Sequence, residues 1–366
     1  MMDDIYFRDE KVEVAPAVDW SVLGEIMPEG IYFGMSEGDY HAAPALSNSG
    51  IKHLLTSPTD FWARSWMNPE REDDGTDAKE LGKAYDCRII EGRAAFASRY
   101  AMALDDGDYP NALHTADEIK VRLAHLGLKT SGKKDDLIAR LLEADPRAQI
   151  WDTLLSEHGK AHAGRTLLSR ELIRKIETAA AFIEKHPEIG KAFSGGYPQV
   201  SIFWTDESGV PMKSRLDYLK REAVVDLKTF SNPFGKPIKL AVAYAIASYK
   251  YHLQVAVYLE AVERAKKFIR EGRVFGDVEK SFLAKLAAEP EHRFAFVFQQ
   301  TGIAPVARLY PFPMGLALDC ARITVRDAKA IFKLCVETFG CDMWMDMVGV
   351  ETLDDGDFPA FMTASN

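Results

Sequence analysis

The spacing of apolar residues changes along the chain and predicts helices in some segments and strands in others. Apolar residues recur at helical spacing in residues 47–55, 81–92 and 167–189. Residues 198–229 instead alternate with period 2 and contain the turn sequences DESG and LKRE, which predicts three strands. Residues 292–312 predict a further hairpin. Helical and sheet-forming segments are therefore interleaved.

This order of elements predicts an α/β (α+β) fold with a central mixed sheet flanked by helices. Residues 238–269 and 315–339 predict long helices around that sheet. We divide the chain into an extended N-terminal arm (1–27), a core (28–110 and 148–345), a small helical insert (111–147) and a C-terminal tail (346–366).

The insert has the helix-starting and helix-ending residues of a helix–turn–helix unit. Thr115 is a predicted N-cap for a first helix, which Gly127 ends. Ser131 is predicted to start a second helix, and Pro146 follows its end. Between residues 115 and 147 there are 7 Lys and Arg and 6 Asp and Glu, so the insert carries +1.

Composition indicates an ordinary globular protein. Of 366 residues, 47% are hydrophobic and 27% are charged. The net charge of −10 argues against a protein that coats DNA with its whole surface, although a protein that contacts DNA at one site needs only local basic patches. The acidic N-terminus and the lack of a long apolar run predict a cytoplasmic protein without a membrane anchor.

The cysteines do not have the spacing of a metal or cluster site. Cys87 stands alone, and Cys320, Cys335 and Cys341 follow late in the sequence without a CxxC pair. An iron–sulfur cluster needs closer spacings than these. We therefore expect reduced thiols.

Two carboxylates and a lysine are predicted to converge at the end of one hairpin. If residues 219–222 form a four-residue connection, position 217 faces position 224 and Asp226 lies one diagonal step away. Lys228 follows Asp226 by two residues and therefore points to the same face. The alternative is a simple Asp226–Lys228 ion pair with Asp217 unrelated, and this spacing alone does not exclude it.

Such a group has the chemistry of a phosphodiesterase. Two close carboxylates repel each other unless a cation lies between them, and hard oxygen ligands suit Mg²⁺ or Mn²⁺. A lysine beside the metal can orient the attacking water.

Several ordered motifs resemble those of one nuclease family. They are the N-terminal stretch GIYFGMSEGDYHAAPALSNSGIKHLLTSPTDF, the helix LGKAYDCRIIEG, the strands around Asp217 and AVVDLKTF, and the helix YKYHLQVAVY. Together they resemble the PD-(D/E)xK nuclease superfamily, and more closely the exonuclease VIII (RecE-type, RecB-like) family, over nearly the whole chain from residue 30. The resemblance implies a restriction-endonuclease-like core.

The family's site residues can be transferred onto matching positions. The resemblance implies metal binding by Asp217, Asp226 and the Leu227 carbonyl, and a water-holding role for Lys228. It implies that Gln254 and Tyr258, which are i, i+4 on one helix, position DNA phosphate or neighbouring groups. The alternative for these two residues is a packed helix face with polar tips.

One position departs from the family pattern. Asp86 stands where the family usually has a histidine ligand, and we expect it to retain a second metal site because carboxylate is the harder ligand. Glu91 is a further candidate ligand, with a solvated helix-end acid as the alternative. His41, His53 and His252 are interpreted as structural or surface residues.

The insert resembles a SAP motif, a small nucleic-acid-binding unit. The residues that carry this resemblance are Lys129, Thr130, Ser131, Gly132, Lys133 and Lys134. Backbone N–H groups at a helix start and clustered lysines suit phosphate, so contacts would be tolerant of sequence and sensitive to salt. The alternative is a helical hairpin that only decorates the core.

The resemblance implies an exonuclease with two Mg²⁺ or Mn²⁺ ions per site that digests linear duplex DNA from 5′ to 3′ and leaves 3′ single strands. It also implies a ring-like oligomer, often a tetramer, and a RecT-like single-strand annealing partner in phage-type recombination. Two alternatives stay open: a nuclease of other specificity (an endonuclease or a single-strand exonuclease), and a catalytically impaired DNA-binding protein.

Overall fold

The structure, a computed structural model, describes residues 18–72, 75–302, 304–346, 349 and 351–358. Within these ranges the strands are β1 (Gly30–Tyr32), β2 (Tyr100–Met102), β3 (Thr166–Leu168), β4 (Tyr197–Thr205), β5 (Pro211–Leu219), β6 (Ala223–Phe230), β7 (Val274–Phe275), β8 (Arg293–Gln300) and β9 (Ala307–Pro311). The α-helices are α1 (Glu37–Ala42), α2 (Asn48–Leu54), α3 (Pro58–Arg64), α4 (Asp77–Asp86), α5 (Arg93–Arg99), α6 (Ala116–His125), α7 (Lys134–Ala144), α8 (Trp151–Ala161), α9 (Arg170–Lys185), α10 (Ile238–Ser248), α11 (Tyr251–Arg270), α12 (Lys280–Ala288) and α13 (Leu316–Phe339). One π-helical turn (Cys87–Glu91) and short 3₁₀ turns complete the elements.

Seven strands form a mixed sheet in the spatial order β7–β1–β4–β5–β6–β8–β9. The β1–β7 and β6–β8 pairs are parallel, and the other neighbours are antiparallel. The three strands predicted in residues 198–229 and the hairpin predicted in 292–312 are confirmed. The predicted α/β (α+β) class, with a central mixed sheet flanked by helices, is confirmed as well.

The register of the β5–β6 hairpin differs from the prediction. It is set by two residue pairs, Tyr218–Val225 and Leu219–Val224. The predicted pairing of positions 217 and 224 is therefore wrong by two residues, because the connection is the tighter turn 220–222. A shift of two residues keeps the side chains on the same face and places Asp217 directly across from Asp226.

Helices cover both faces of the sheet. On one face α11 contacts β1, β4, β5 and β8, with α2, α12 and α13 packed around it. The small residues Ala256, Ala261 and Ala265 let α11 approach its neighbours closely, and all three are buried. On the other face, α4 contacts β6, and the π-helical turn and α9 pack around a second apolar cluster. The site described below lies where α2, α4 and α11 meet the sheet.

The predicted insert has its own small core. Ile119, Leu123, Leu137, Leu141 and Ile150 form a separate apolar cluster between α6 and α7. The predicted N-cap at Thr115 is confirmed, with Glu118 completing a capping box. The predicted start of the second helix at Ser131 is wrong: Lys133 is the N-cap, and Gly132 at φ +135° cannot belong to the helix.

Two short parallel pairings close the base of the insert. Leu113 and Ile150 form an isolated bridge, and β2 pairs with β3 over three residues. The sequence does not reveal β2 and β3, because three residues are too few to show a period. The limits of the core, the insert and the tail stay predictions.

The described part of the predicted arm is not extended. Trp20–Leu23 is a 3₁₀ turn, Leu23 is buried, and the Trp20 ring stacks on Phe332 of α13 with centroids 6.0 Å apart. Residues 1–17 of the predicted arm and most of the predicted tail lie outside the described residues.

Two predictions from composition can be compared with the structure. None of the described helices is long and apolar enough to span a bilayer. Cys87, Cys320, Cys335 and Cys341 are free, as expected from their spacing, and the first and third are buried.

Candidate active site

A cleft of about 1010 Å³ opens between the sheet and helices α1, α2, α4 and α11. Six of the residues proposed from sequence line it: Asp86, Glu91, Asp217, Lys228, Gln254 and Tyr258. Asp226 is fully buried against this group. The six residues proposed in the insert, 129–134, are not among those lining the cleft. The structure therefore gathers the predicted catalytic set in one place and leaves the predicted DNA-binding set elsewhere.

The cleft begins where β5 and β6 stop pairing. After two residue pairs the backbone ladder ends, and the Leu227 N–H donates to Asp217 Oδ2 at 3.2 Å. On β6 the Lys228 ammonium lies 2.5 Å from Asp226 Oδ2. At this point the Asp217 carboxylate takes the place of a backbone carbonyl as the acceptor for the Leu227 N–H. Asp217, Asp226 and Lys228 therefore lie close together. The Leu227 carbonyl stays a predicted ligand.

The charges of these groups are strongly coupled. Burial, and next the Asp226 charge, raise the pKa of Asp217 well above its usual range. Burial raises the pKa of Asp86 to about 7, and the Lys228 charge opposes that rise. Burial alone would lower the pKa of Lys228, but Asp226 and Asp217 raise it above its usual range. Lys228 is therefore a cation, and the carboxylates repel one another.

The donors fit a hydrated Mg²⁺ better than a closed metal cage. Among the described residues, no three or more His, Cys, Asp or Glu side chains are arranged to hold a metal ion. Mg²⁺ commonly uses only one or two protein carboxylates, with water and substrate phosphate as its other ligands. Asp217 and Asp226 are such a pair, and a cation there would relieve the repulsion that raises the pKa of Asp217.

Asp86 lies on the cleft wall, where the family's histidine was expected. It is the last residue of α4, and a π-helical turn follows immediately. Such turns often occur at functional sites, because they re-aim the side chains beside them. The Asp86 charge acts on both Asp217 and Lys228, so its carboxylate belongs to the same electrostatic cluster.

Two polar residues of α11 support the strands that carry the acids. Gln254 Nε2 donates to Asp226 Oδ1, and the Tyr258 hydroxyl donates to the Arg215 carbonyl at 2.8 Å. Both side chains are buried. Of the roles inferred for them, positioning of neighbouring groups fits these contacts.

Glu91 is already paired. Its two carboxylate oxygens accept hydrogen bonds from Arg99, both at 2.6 Å. A ligand role for Glu91 would require this bidentate pair to open. Among the histidines, the His53 ring pairs with Asp60 at 2.7 Å, which fits the structural role inferred for it.

Four cationic residues that line the cleft were not proposed from sequence: Lys52, Lys83, Arg99 and Arg215. Lys52 on α2 lies 4.9 Å from the centroid of the Tyr251 ring, and burial followed by the nearby Lys228 charge lowers its pKa to about 8. No local pattern marks such a lysine. Arg215 also lines the cleft, two residues before Asp217 on β5. The period of a strand could have identified it.

Gln199 is a further cleft residue that the sequence did not reveal. It has φ +51°, a left-handed conformation that is uncommon for a residue other than glycine. It lies on β4 between the paired residues Pro198 and Val200, lines the cleft, and accepts a hydrogen bond from Arg215 at 2.9 Å. Backbone strain of this kind often accompanies functional sites.

Three comparisons with known proteins bear on the family of this chain. A search of curated protein sequences finds no match. Among solved structures, the chain is similar to a "putative exonuclease" from Eubacterium rectale, with 14% identity, 82% of this chain and 86% of that chain covered, and a TM-score of 0.45. Residues 47–281 match the model of a PDDEXK-like domain of unknown function (DUF3799), which is more than half of the chain. The chain therefore belongs to this PDDEXK-like family, and its membership in the PD-(D/E)xK superfamily supports a nuclease.

Proposed function

We propose that this protein is a Mg²⁺- or Mn²⁺-dependent deoxyribonuclease, and specifically an exonuclease of the RecE-type family that acts on linear duplex DNA. The observation that carries the proposal is the meeting of Asp217, Asp226 and Lys228 where β5 and β6 separate. Asp86 extends the acidic group along the cleft wall. An acid pair of which one member is fully buried and the other half-buried, with an adjacent ammonium, is poorly suited to a purely structural role, because taking each charge out of water is costly.

Each residue has a defined part in hydrolysis. Bound metal ions, which we take to be two per site, would polarise the phosphoryl group and lower the pKa of water. Asp217 and Asp226 would hold them, with Asp86 and the Leu227 carbonyl as further ligands. Lys228, charged and anchored on Asp226, donates hydrogen bonds that orient the attacking water or a phosphate oxygen.

Water adds to phosphorus, the P–O bond to the leaving nucleotide breaks, and that oxygen takes up a proton. Two of the other cations that line the cleft, Lys52 and Arg215, would face the negative charge that develops on the phosphate. Gln254 and Tyr258 keep Asp226 and β5 in place.

The insert supplies a second contact to DNA in this proposal. Its lysines lie around the turn between α6 and α7, as in the SAP motif that the sequence resembles. Lys134 Nζ lies 2.5 Å from Asp152 and also donates to the His114 carbonyl at 3.0 Å. We therefore assign the phosphate contact mainly to Lys129 and Lys133, with the backbone of 130–132 beside them.

The remaining parts of the proposal come from the family resemblance. They are 5′-to-3′ polarity, 3′ single-stranded products, a ring-like oligomer and a RecT-like annealing partner in phage-type recombination. An endonuclease, a single-strand exonuclease and a non-catalytic DNA-binding protein are the competing functions.

The deciding assay compares end-labelled linear duplex with covalently closed circles in Mg²⁺. We expect the wild-type protein to degrade linear DNA and to spare closed circles. Asp226→Asn and Lys228→Ala should each reduce the rate by about 100-fold or more, because each removes a charge that acts on the reacting phosphate. Asp319→Asn, which changes an exposed acid on α13, is the matched control and should retain activity.

The other possible results of this assay each support one of the competing functions or contradict the proposed site. Cleavage of closed circles indicates an endonuclease, and degradation of single strands alone indicates a single-strand exonuclease. Equal activity of wild type and Asp226→Asn contradicts the proposed site. Binding of DNA without cleavage indicates the non-catalytic protein.

A further inference from the structure

An exposed aromatic surface lies on the segment that joins β6 to α11. Phe234 is 86% exposed, Tyr249 62% and Tyr244 56%. Leu240 is also exposed, and it lies one helical turn before Tyr244 on the same face of α10. Apolar rings gathered outside the core of a protein mark an interaction site more often than isolated exposed residues do. We call Phe234, Tyr244 and Tyr249 the aromatic patch.

The charge around the aromatic patch is opposite to that of the whole chain. Residues 231–251 contain three lysines (Lys236, Lys239 and Lys250) and no acidic residue, whereas the chain carries −10. The Lys236 ammonium lies 4.4 Å from the centroid of the Tyr244 ring. Aromatic faces interleaved with lysines are the combination that binds nucleic acid by stacking and by phosphate contacts.

The aromatic patch is continuous with the cleft. The Tyr249 ring stacks on Tyr251 with centroids 5.5 Å apart, and Tyr251 lines the cleft. The Lys228 ammonium lies 5.2 Å from the centroid of the same Tyr251 ring, on which Lys52 also lies. A chain of stacked and charged contacts therefore leads from the proposed catalytic lysine through Tyr251 to Tyr249, the member of the aromatic patch nearest to the cleft in sequence.

We infer that the aromatic patch binds a single strand of DNA where it enters or leaves the cleft. The inference rests on the proposed function only in naming DNA as the ligand. Stacking needs exposed base faces, which a duplex covers, so the rings select the single strand. A symmetric contact with a second copy would place each set of three lysines against its twin, and like charges oppose such an interface.

The dimensions set the length of strand that fits. The 11 residues of α10 span about 16 Å at about 1.5 Å per residue. With about 3.4 Å per stacked nucleotide, this length accommodates about five nucleotides. We therefore expect affinity to rise steeply between oligonucleotides of three and eight thymidines.

The test measures binding without cleavage. Fluorescein-labelled dT12 is titrated with the protein in EDTA and followed by anisotropy, with a blunt duplex as the second probe. The double variant Tyr244→Ala/Tyr249→Ala should bind dT12 at least about 25-fold more weakly, since each lost stack weakens binding about fivefold or more. Duplex binding should change less than twofold. Tyr244→Phe/Tyr249→Phe keeps both rings and should keep the affinity.

Two controls test the alternatives, which are a general effect of removing an exposed apolar side chain and contacts between copies of the chain. Leu316→Ala removes an 80% exposed apolar side chain from α13 and should not change dT12 binding. The oligomeric mass of each variant is measured by sedimentation at the same concentration. Unchanged dT12 affinity in the double alanine variant overturns the inference. The inference is also overturned if dT12 affinity is lost only when the oligomeric mass falls, because that result assigns the aromatic patch to contacts between copies of the chain.

A second measurement uses the wild-type chain. A bromodeoxyuridine-substituted dT12 is cross-linked by ultraviolet light, and the labelled peptide is identified. A cross-link within residues 231–251 supports the inference, and cross-links found only elsewhere overturn it. A chain that binds dT12 here but cleaves no DNA would retain this inference and lose the proposed function, so the two fail separately.

Discussion

Gln254 on α11 donates a hydrogen bond to the fully buried carboxylate of Asp226 on β6. This contact connects the helix that covers the sheet to the strand that carries the aspartate and the lysine of the proposed site. A buried carboxylate that loses a hydrogen-bond donor keeps its desolvation cost and loses its compensation. The helix therefore helps to hold the Asp226 side chain in its position in the site.

Gln254→Met should test this relationship, because it keeps the side-chain length and removes the donor. We expect the free energy of unfolding to fall by about 1–3 kcal/mol. DNA cleavage should fall by about tenfold or more, since a misplaced acid loses its position in the site. Urea unfolding and single-turnover cleavage measure the two effects. Tyr258→Phe removes the hydroxyl that donates to the Arg215 carbonyl, and it should lower the free energy of unfolding and the cleavage rate by less than Gln254→Met does.

Asp86 should set the Mg²⁺ concentration that DNA cleavage requires. Asp86→Ala removes a carboxylate from the cleft wall, so we expect cleavage to require a higher Mg²⁺ concentration and to be slower at saturation. Asp86→His supplies the family's usual ligand and should restore activity toward the wild-type level. Rates measured across a Mg²⁺ titration check this. Asp105→Ala, an exposed change beside the insert, is the control, and identical titration curves for Asp86→Ala and wild type would contradict the assignment.

Substitutions at Gln199 should change both the stability of the protein and the rate of DNA cleavage. Its left-handed backbone costs free energy that glycine avoids, so Gln199→Gly should be more stable than Gln199→Ala by about 1 kcal/mol. Both variants lose the acceptor for Arg215 and should cleave DNA more slowly than wild type. Equal stability of the glycine and alanine variants would show that the backbone at this position is not strained.

Lys213 should make stability depend on pH. Its ammonium donates to the carbonyls of Tyr40, His41 and Ala43 at 2.9, 3.3 and 2.6 Å, and burial lowers its pKa to about 7. Its unfolded pKa is near 10.5, so between pH 7 and pH 10.5 the unfolded chain binds more protons and stability rises with pH.

Lys213→Met removes this titration and leaves the three carbonyls unpaired. The variant should be less stable than wild type at pH 9, by about 3 kcal/mol. The difference should narrow as the pH falls from 9 to 7, by at most about 1.4 kcal/mol per pH unit. Denaturant unfolding at several pH values measures it. Parallel stability curves for the two proteins would mean that Lys213 stays charged throughout this range.

The insert lysines should affect binding more than chemistry. Lys129→Ala/Lys133→Ala should weaken binding of duplex DNA and reduce the slope of log K against log salt by about 1–2, because each lysine releases about one counterion. Single-turnover cleavage at saturating protein should change little. Lys285→Ala, an exposed lysine change on α12, is the control. Binding that is unchanged at moderate salt would assign the insert to a structural role.

Period and turn chemistry were sufficient to predict the strands of the sheet and the caps of α6. The three strands predicted in residues 198–229 are β4, β5 and β6, because each apolar run is long enough to indicate a strand. The second helix of the insert was misplaced by three residues, because Ser131 has the chemistry of an N-cap but Gly132 adopts a positive φ. Local chemistry does not reveal that the chain turns at Gly132 and that the helix begins only after Lys133.

The sequence by itself predicted the sheet-and-helix class, because strand period is a local property of the chain, and its resemblance to a nuclease family pointed to Asp217, Asp226 and Lys228 as one group. Only the tertiary structure decided that β5 and β6 separate after two residue pairs and that the Asp217 carboxylate accepts a hydrogen bond from the Leu227 N–H, next to Asp226. It also brought Lys52, Arg215 and Gln199 to the same cleft. These residues come from distant segments, and their meeting depends on how helices pack on the sheet, which no local pattern specifies.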